Sequence, residues 1–272
     1  MKPILFILTL FTICPSFSQE LNRNYKIVNL DSIFGANPGT FVLYYLNSEK
    51  YDVYNPEGAK TKYSVHSTSK ILWSIIALEE GIVKDENDFI KWDSLKYPKR
   101  GANHPGWYED NNIVSALKYS VNWYYMEILS KMTPEMIEYY LNKYNYQRGF
   151  EVGRVHYFGL TARIEKSEFE QIGFLKQFYS NELGVKPKTH ELVTEGLFYK
   201  QSGNKKVYLR TGMGPVKDNS TGIVWCIGYV VTNDDVIFYA ANVLNDDESV
   251  AYSQCKDITF RSLKAFGVVD VH

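Results

Sequence analysis

The stretch Ser67-Thr68-Ser69-Lys70, followed by Ile71-Leu72-Trp73-Ser74-Ile75-Ile76-Ala77-Leu78-Glu79-Glu80-Gly81, decides how this chain is read. Ile71, Ile75 and Leu78 fall on one helical face, and Leu72 and Ile76 widen it until most of the circumference is apolar. A helix greasy nearly all round belongs inside a domain, and Gly81 is a suitable left-handed stop. Ser67 stands where an N-cap or first-turn residue is expected, beside backbone N–H groups that have no partner in the helix. Lys70 lies three residues on, one turn away on the same face. A hydroxyl beside an amine at the dry end of a buried helix is a nucleophile–base pair in outline.

The spacing alone is common. Ser-x-x-Lys recurs at Ser115–Lys118, Ser202–Lys205 and Ser253–Lys256, and a capping serine with a solvated lysine explains most such pairs. Context has to single out the first. The chain has 272 residues, enough for one large domain or two lobes with an ample core. Thirty basic residues stand against thirty-one acidic ones, so no basic face argues for nucleic acid. Five histidines, His66, His104, His156, His190 and His272, show no metal-ligand spacing. His66 adjoins Ser67, but one step along the chain points it elsewhere, which suits a packing role better than a triad base.

Residues 1–18 read separately. Lys2, an apolar run from Ile4 to Ile13 and then Pro15-Ser16-Phe17-Ser18 have the form of a secretory signal peptide, and the run is too short to span a bilayer. A lipid anchor at Cys14 is the competing reading, opposed by the bulk of Ile13. An exported, periplasmic protein is expected, with no transmembrane segment. Past that signal only Cys226 and Cys255 remain, and an oxidising compartment allows them to pair without requiring it.

Along the mature chain, Thr40 to Leu46 and Tyr51 to Tyr54 flank the turn Asn47-Ser48-Glu49-Lys50 as a β-hairpin. From about 84 to 200 the pattern is mostly helical, with helices expected over Ile113–Lys131, Pro134–Tyr144 and Glu168–Leu183. Gly101–Gly106 and Arg148–Gly159 read as loops. Strands return at Lys206–Arg210, Gly222–Val231 and Val236–Ala241, and an amphipathic helix closes the chain over Ser249–Phe266. Strands at both ends with helices between predict an α+β fold: one antiparallel sheet built from distant segments, with an inserted helical lobe. The expected division is a sheet lobe at about 19–66 and 200–272 and a helical lobe at about 67–199, within a single domain over 19–272.

Two further motifs fall where a cleft between such lobes needs them: Tyr119-Ser120-Val121-Asn122 in the helical block, and Arg210-Thr211-Gly212 ending a strand. A cation and a hydroxyl followed by glycine on a strand can hold a carboxylate while leaving room for a ligand. With Ser67-x-x-Lys70 ahead of them, these motifs resemble the serine penicillin-recognising enzymes. The resemblance is nearest to class D β-lactamases and the sensor domains of β-lactam receptors. Phe41-Val42-Leu43-Tyr44, Lys91-Trp92-Asp93, Leu117-Lys118-Tyr119-Ser120-Val121 and Gln171-Ile172-Gly173-Phe174-Leu175 carry it across nearly all the mature chain.

The resemblance implies roles. Ser67 is the acylated nucleophile, Lys70 its general base, and Ser120 a relay to the leaving lactam nitrogen. Asn122, Arg210, Thr211, Gly212 and Met213 contact substrate, with Arg210 and Thr211 gripping its carboxylate. The N–H groups of Ser67 and Met213 form the oxyanion hole. The ligand implied is a β-lactam or a small molecule like a peptidoglycan stem peptide. No cofactor is implied beyond N-carboxylation of Lys70 by carbon dioxide, as in class D. An ordinary lysine is neutral at pH 7 only on the order of one time in a thousand, so burial must lower its pKa.

The chain departs from the class D pattern at Asn122, where that family has valine, and at Arg210, where it has lysine. The tryptophan that meets the carbamate aligns near Phe158-Gly159, and no tryptophan lies between Trp123 and Trp225. The loop Tyr-Gly-Asn survives only as Tyr146-Gln147-Arg148, and the second carboxylate-binding arginine aligns near Cys255-Lys256. Acylation survives these changes, and fast deacylation is what they touch. Three functions therefore stand: a class D-like β-lactamase, a penicillin-binding, D,D-peptidase-like or sensor-like protein that deacylates slowly, and a non-catalytic binding module on the same fold.

Overall fold

The structure is a computed structural model that describes residues 25–99, 106–150, 161, 163–216, 221–245 and 248–270. Its elements run β1 (Tyr25–Ile27), α1 (Asp31–Phe34), β2 (Gly39–Tyr45), β3 (Lys50–Tyr54), β4 (Tyr63–Ser64) and a 3-10 turn (His66–Ser69) that leads into α2 (Lys70–Glu79). Next come α3 (Ile113–Tyr119), α4 (Asn122–Leu129), α5 (Pro134–Lys143), β5 (Glu165–Lys166), α6 (Glu168–Tyr179) and α7 (Pro187–Leu197). The chain ends with β6 (Phe198–Ser202), β7 (Lys205–Pro215), β8 (Gly222–Val231), β9 (Val236–Asn245) and α8 (Glu248–Ala265).

Seven strands form one sheet in the order β1-β3-β2-β9-β8-β7-β6. The expected union of the two chain ends is its central pairing, β2 against β9 with Leu43 opposite Tyr239. Every pairing is antiparallel except the short β1 against β3 at one edge. β8 lies between β7 and β9 and is buried from Gly222 to Val230, as its unbroken apolar run requires of a strand covered on both faces. One face packs Tyr44, Val53, Trp225, Ile227 and Phe238 toward α2, α6 and the helical lobe. The other packs Phe41, Leu43, Val224, Cys226 and Tyr239 against α8.

Four expectations need correction. Ile113–Lys131 is two helices, because Ser120 takes a left-handed φ of 59° that ends α3. No helix occupies 84–99 or 106–112. That stretch is held instead by the bridge Ile90–Asn111 and by side-chain bonds, such as Trp92 Nε1 to Tyr97 O at 3.0 Å. β7 runs on to Pro215, so Arg210 sits mid-strand and does not end it. α6 packs on β2, β8 and β9, so part of the stretch expected in the helical lobe is a layer of the sheet.

Two strand glycines bring the sheet against the 3-10 turn. A Cβ on Gly212 would come 2.8 Å from Val65 O, and one on Gly214 would come 2.4 Å from the His66 ring. Side chains there would hold β7 away from Ser67. α2 then enters the interior with every residue from Lys70 to Leu78 buried. Burial of its large apolar side chains contributes about 1.5–3 kcal/mol each, which fixes the turn in front of it.

Candidate active site

Ser67 does not cap α2 through its side chain. It lies inside the 3-10 turn, and α2 begins only at Lys70. The turn is tied by its own hydroxyls: Thr68 Oγ1 donates to Val65 O at 2.8 Å, and Ser69 Oγ to His66 O at 2.6 Å. Trp73 Nε1 in turn donates to Ser69 Oγ at 3.0 Å. His66 has a left-handed φ of 45°, and its Nε2 lies 3.1 Å from Pro215 O. Burial pushes its pKa down, so it is the packing histidine expected.

The Lys70 side chain is completely buried. Its Nζ lies 2.9 Å from Ser67 Oγ, 3.0 Å from Ser120 Oγ, 3.3 Å from Ser120 O and 2.6 Å from Asn122 Oδ1. Desolvation lowers its pKa well below the usual lysine value, and the Arg210 guanidinium lowers it further. A neutral amine has two N–H donors and a lone pair. It can donate to the Asn122 and Ser120 oxygens while accepting the proton of Ser67, which is the arrangement a general base needs.

Ser120 is aimed by the backbone. Its left-handed conformation ends α3 and turns the chain into α4, so Asn122 opens the next helix and faces the same amine. A non-glycine residue there costs on the order of 1–2 kcal/mol. The guanidinium of Arg210 holds it in place. Nε donates to Ser67 O at 2.9 Å, Nη1 to Leu117 O and Nη2 to Ser120 Oγ. Leu117 O belongs to the last turn of α3, where a cation is favoured by the helix dipole. One buried side chain thus joins the nucleophile's turn to the motif around Ser120.

Arg210 has a part that was not expected. Each of its three nitrogens donates to a protein oxygen, so the side chain braces the site besides the carboxylate contact the resemblance implies. Thr211, Gly212 and Met213 follow on the same strand. Thr211 is half-buried, Gly212 is pressed against the serine turn, and Met213 is 42% exposed at the mouth. Ser67, Lys70, Ser120, Asn122 and Arg210 therefore converge through direct hydrogen bonds, and the remaining three are their neighbours on β7.

Some contributors were missed. The Tyr125 ring lies 5.4 Å from Lys70 Nζ, and its hydroxyl is 2.7 Å from Ser74 Oγ. Tyr125 stands three residues after Asn122, so helical spacing could have found it. Behind the serine turn, Gln171 Nε2 donates to Thr68 Oγ1 at 3.0 Å, and Val65 N to Ile164 O at 2.9 Å. Nothing local in the sequence announces those long-range braces. The aligned tryptophan position at Phe158-Gly159 lies outside the described residues. Among the described residues no group of three His, Cys, Asp or Glu side chains could hold a metal, and no helix is long and apolar enough to cross a membrane.

The chain is similar to known proteins along most of its length. Residues 36–259 match the family described as the penicillin binding protein transpeptidase domain. The regulatory protein BlaR1 of Staphylococcus aureus is 26% identical over 94% of this chain, which spans 42% of that protein's length. Beta-lactamase OXA-48 of Klebsiella pneumoniae is 29% identical, covering 84% of this chain and 83% of the enzyme. Among solved structures, the C-terminal domain of the Bacillus licheniformis BlaR penicillin-receptor superposes with a TM-score of 0.81 at 27% identity, covering 92% of this chain and 99% of the domain. The class D beta-lactamase of Sebaldella termitidis gives 0.80 at 27% identity, covering 91% of this chain and all of that one (100%). The α+β architecture is therefore the one shared by class D β-lactamases and BlaR penicillin-receptor domains. With its serine, lysine and strand motifs gathered in that architecture, this chain belongs to the penicillin-binding protein transpeptidase family.

Proposed function

We propose that this chain reacts covalently with β-lactams at Ser67, and that the acyl-enzyme it forms is long-lived. The observation that carries the proposal is the buried, neutral-tending Lys70 amine at 2.9 Å from Ser67 Oγ. Ser67 Oγ attacks the lactam carbonyl while Lys70 takes its proton. The oxyanion develops in front of the N–H groups of Ser67 and Met213. As the C–N bond breaks, Ser120 passes a proton to the departing nitrogen and recovers one from Lys70. Thr211 meets the substrate carboxylate, with the Arg210 charge behind it.

Slow release is supported by Asn122. Its Oδ1 sits 2.6 Å from Lys70 Nζ, and an amide oxygen that close occupies the space and the donor hydrogens that a carbamate would use. The second reading is hydrolysis by a class D-like β-lactamase, in which carbon dioxide adds to neutral Lys70 and the carbamate activates water for both half-reactions. The depressed lysine pKa favours it. Mixing the protein with benzylpenicillin and recording intact mass separates the readings. A Ser67 adduct that outlasts the free drug supports slow release, and rapid hydrolysis stimulated by bicarbonate supports the carbamate. Neither adduct nor hydrolysis overturns the proposal and leaves the non-catalytic binding module.

A further inference from the structure

Cys226 and Cys255 have no part in the chemistry above, yet they face each other. Cys226 is on β8 and points to the α8 side of the sheet, and Cys255 is on α8. Neither has any solvent exposure, and in the structure both are free thiols. One contact fixes their proximity. Cys255 Sγ donates to Val224 O at 3.3 Å, on the same strand and two positions before Cys226. Both thiols belong to the same buried cluster between β8 and α8. Cys226 is the cross-strand partner of Thr211, so the pair sits beside the strand that carries the candidate site, on the α8 face of the sheet.

We infer that Cys226 and Cys255 form a disulfide when the chain folds in an oxidising medium, clamping α8 to β8 beside the strand that carries Thr211. Two thiols on packed elements and within one buried cluster need little backbone movement to meet the geometry of the bond. Timing follows from burial. Burial in apolar surroundings pushes the Cys255 thiol up, which leaves almost no thiolate to start exchange once α8 has docked. The bond therefore forms while α8 is still undocked, with a small disulfide such as oxidised glutathione as oxidant. One cysteine thiolate attacks oxidised glutathione and releases one glutathione thiolate. The second cysteine thiolate attacks the mixed disulfide and releases the other. Two protein thiols are oxidised, one glutathione disulfide is reduced, and the two protons end on the two glutathiones.

The test is oxidative refolding of the full chain in reduced and oxidised glutathione. Alkylation under denaturing conditions without reductant and peptide mapping then follow. The expected result is a linked pair of peptides containing Cys226 and Cys255, lighter by two hydrogen atoms than the free pair, with neither cysteine alkylated. Cys226→Ala should make Cys255 fully alkylatable. Dithiothreitol should lower the wild-type melting temperature by about 5 °C or more and leave that of the variant unmoved. Stoichiometric alkylation of both cysteines after oxidative refolding, or linkage of either to Cys14, would overturn the inference. The alkylation result decides even if the variant fails to fold.

Discussion

Among the described residues two lysines are buried, and the difference between them explains the candidate site. Lys70 is fully buried and Lys166 nearly so, and desolvation pushes both below the ordinary lysine value. Around Lys70 lie two hydroxyls, an amide oxygen and a guanidinium that lowers its pKa further. Around Lys166 lie the Tyr146 carbonyl at 2.6 Å and the Tyr146 ring at 4.2 Å, with the Glu170 carboxylate pulling back up, so its pKa falls only to about 8. Burial lowers the pKa of both amines. A general base also needs a hydroxyl in reach, which the contacts of Lys70 include and those of Lys166 described above do not.

The sharpest break of this contrast is Lys70→Ala. It should lower the benzylpenicillin acylation rate by about 10²–10⁴-fold, the usual worth of a general base, as followed by intact mass over time. Lys166→Ala should leave the rate per folded molecule within about threefold. Equal losses in the two variants would show that the contrast carries no chemistry.

Arg210 comes next. Arg210→Ala removes the donors to Ser67 O, Leu117 O and Ser120 Oγ and should destabilise the fold by about 3–5 kcal/mol, as removal of a buried charge-assisted network does. Arg210→Lys keeps the charge but loses the planar fork. It should retain most of the lowered Lys70 pKa while acylation slows about tenfold or more. Denaturant melts and acylation kinetics of the two variants separate the mechanical from the electrostatic share.

Lys166 gives a pH signature in stability. A base whose pKa is 10.5 unfolded and about 8 folded holds fewer protons in the native state between those values. Stability from this group is therefore full above pH 10.5, falls as pH drops toward 8, and is flat below. The full span is about 3 kcal/mol. Lys166→Met removes it, so the stability of the variant relative to wild type should decline by about that amount between pH 7.5 and 10.5 in urea melts. A difference independent of pH would mean that Lys166 is an ordinary ammonium.

Glu168 offers the smallest effect. Both of its carboxyl oxygens are buried without a hydrogen-bond partner, and desolvation pushes its pKa well above the usual carboxylate value. Such an acid contributes most below about pH 4.5, and its contribution is lost as pH rises toward the folded value. Glu168→Gln should therefore be more stable relative to wild type at pH 7 than at pH 4.5, read from thermal melts at the two pH values.

Much of the site was legible because its motifs are local. Ser67 and Lys70 are one turn apart, Ser120 and Asn122 are two residues apart, and Arg210 to Met213 are contiguous on one strand. The greasy face of 71–78 and the apolar run of β8 gave the layers. What escaped depends on tertiary context. Apolar spacing carried Ile113–Lys131 through Ser120, since periodicity does not report a left-handed residue that packing and Arg210 hold in place. The pattern draws 84–99 and 106–112 into a mostly helical block, yet buried Asn111, bonded to Gly106 O and Glu109 O, favours irregular backbone. The bracing bonds of Arg210 escaped because the motif names the side chain and not its partners. Those partners, Leu117 O and Ser67 O, are backbone atoms and leave no mark in the sequence.

Everything rests on an uncharged amine at position 70. Nuclear magnetic resonance of protein carrying 13C-labelled lysine, with Lys70→Ala and Lys166→Ala used for assignment, reads each buried amine through its ε-carbon across the pH range. The account predicts that the Lys70 signal is already that of a neutral amine at pH 7, with Lys166 changing near pH 8 and the surface lysines above pH 10. A Lys70 signal that stays in the ammonium position until it titrates with the surface lysines would contradict it.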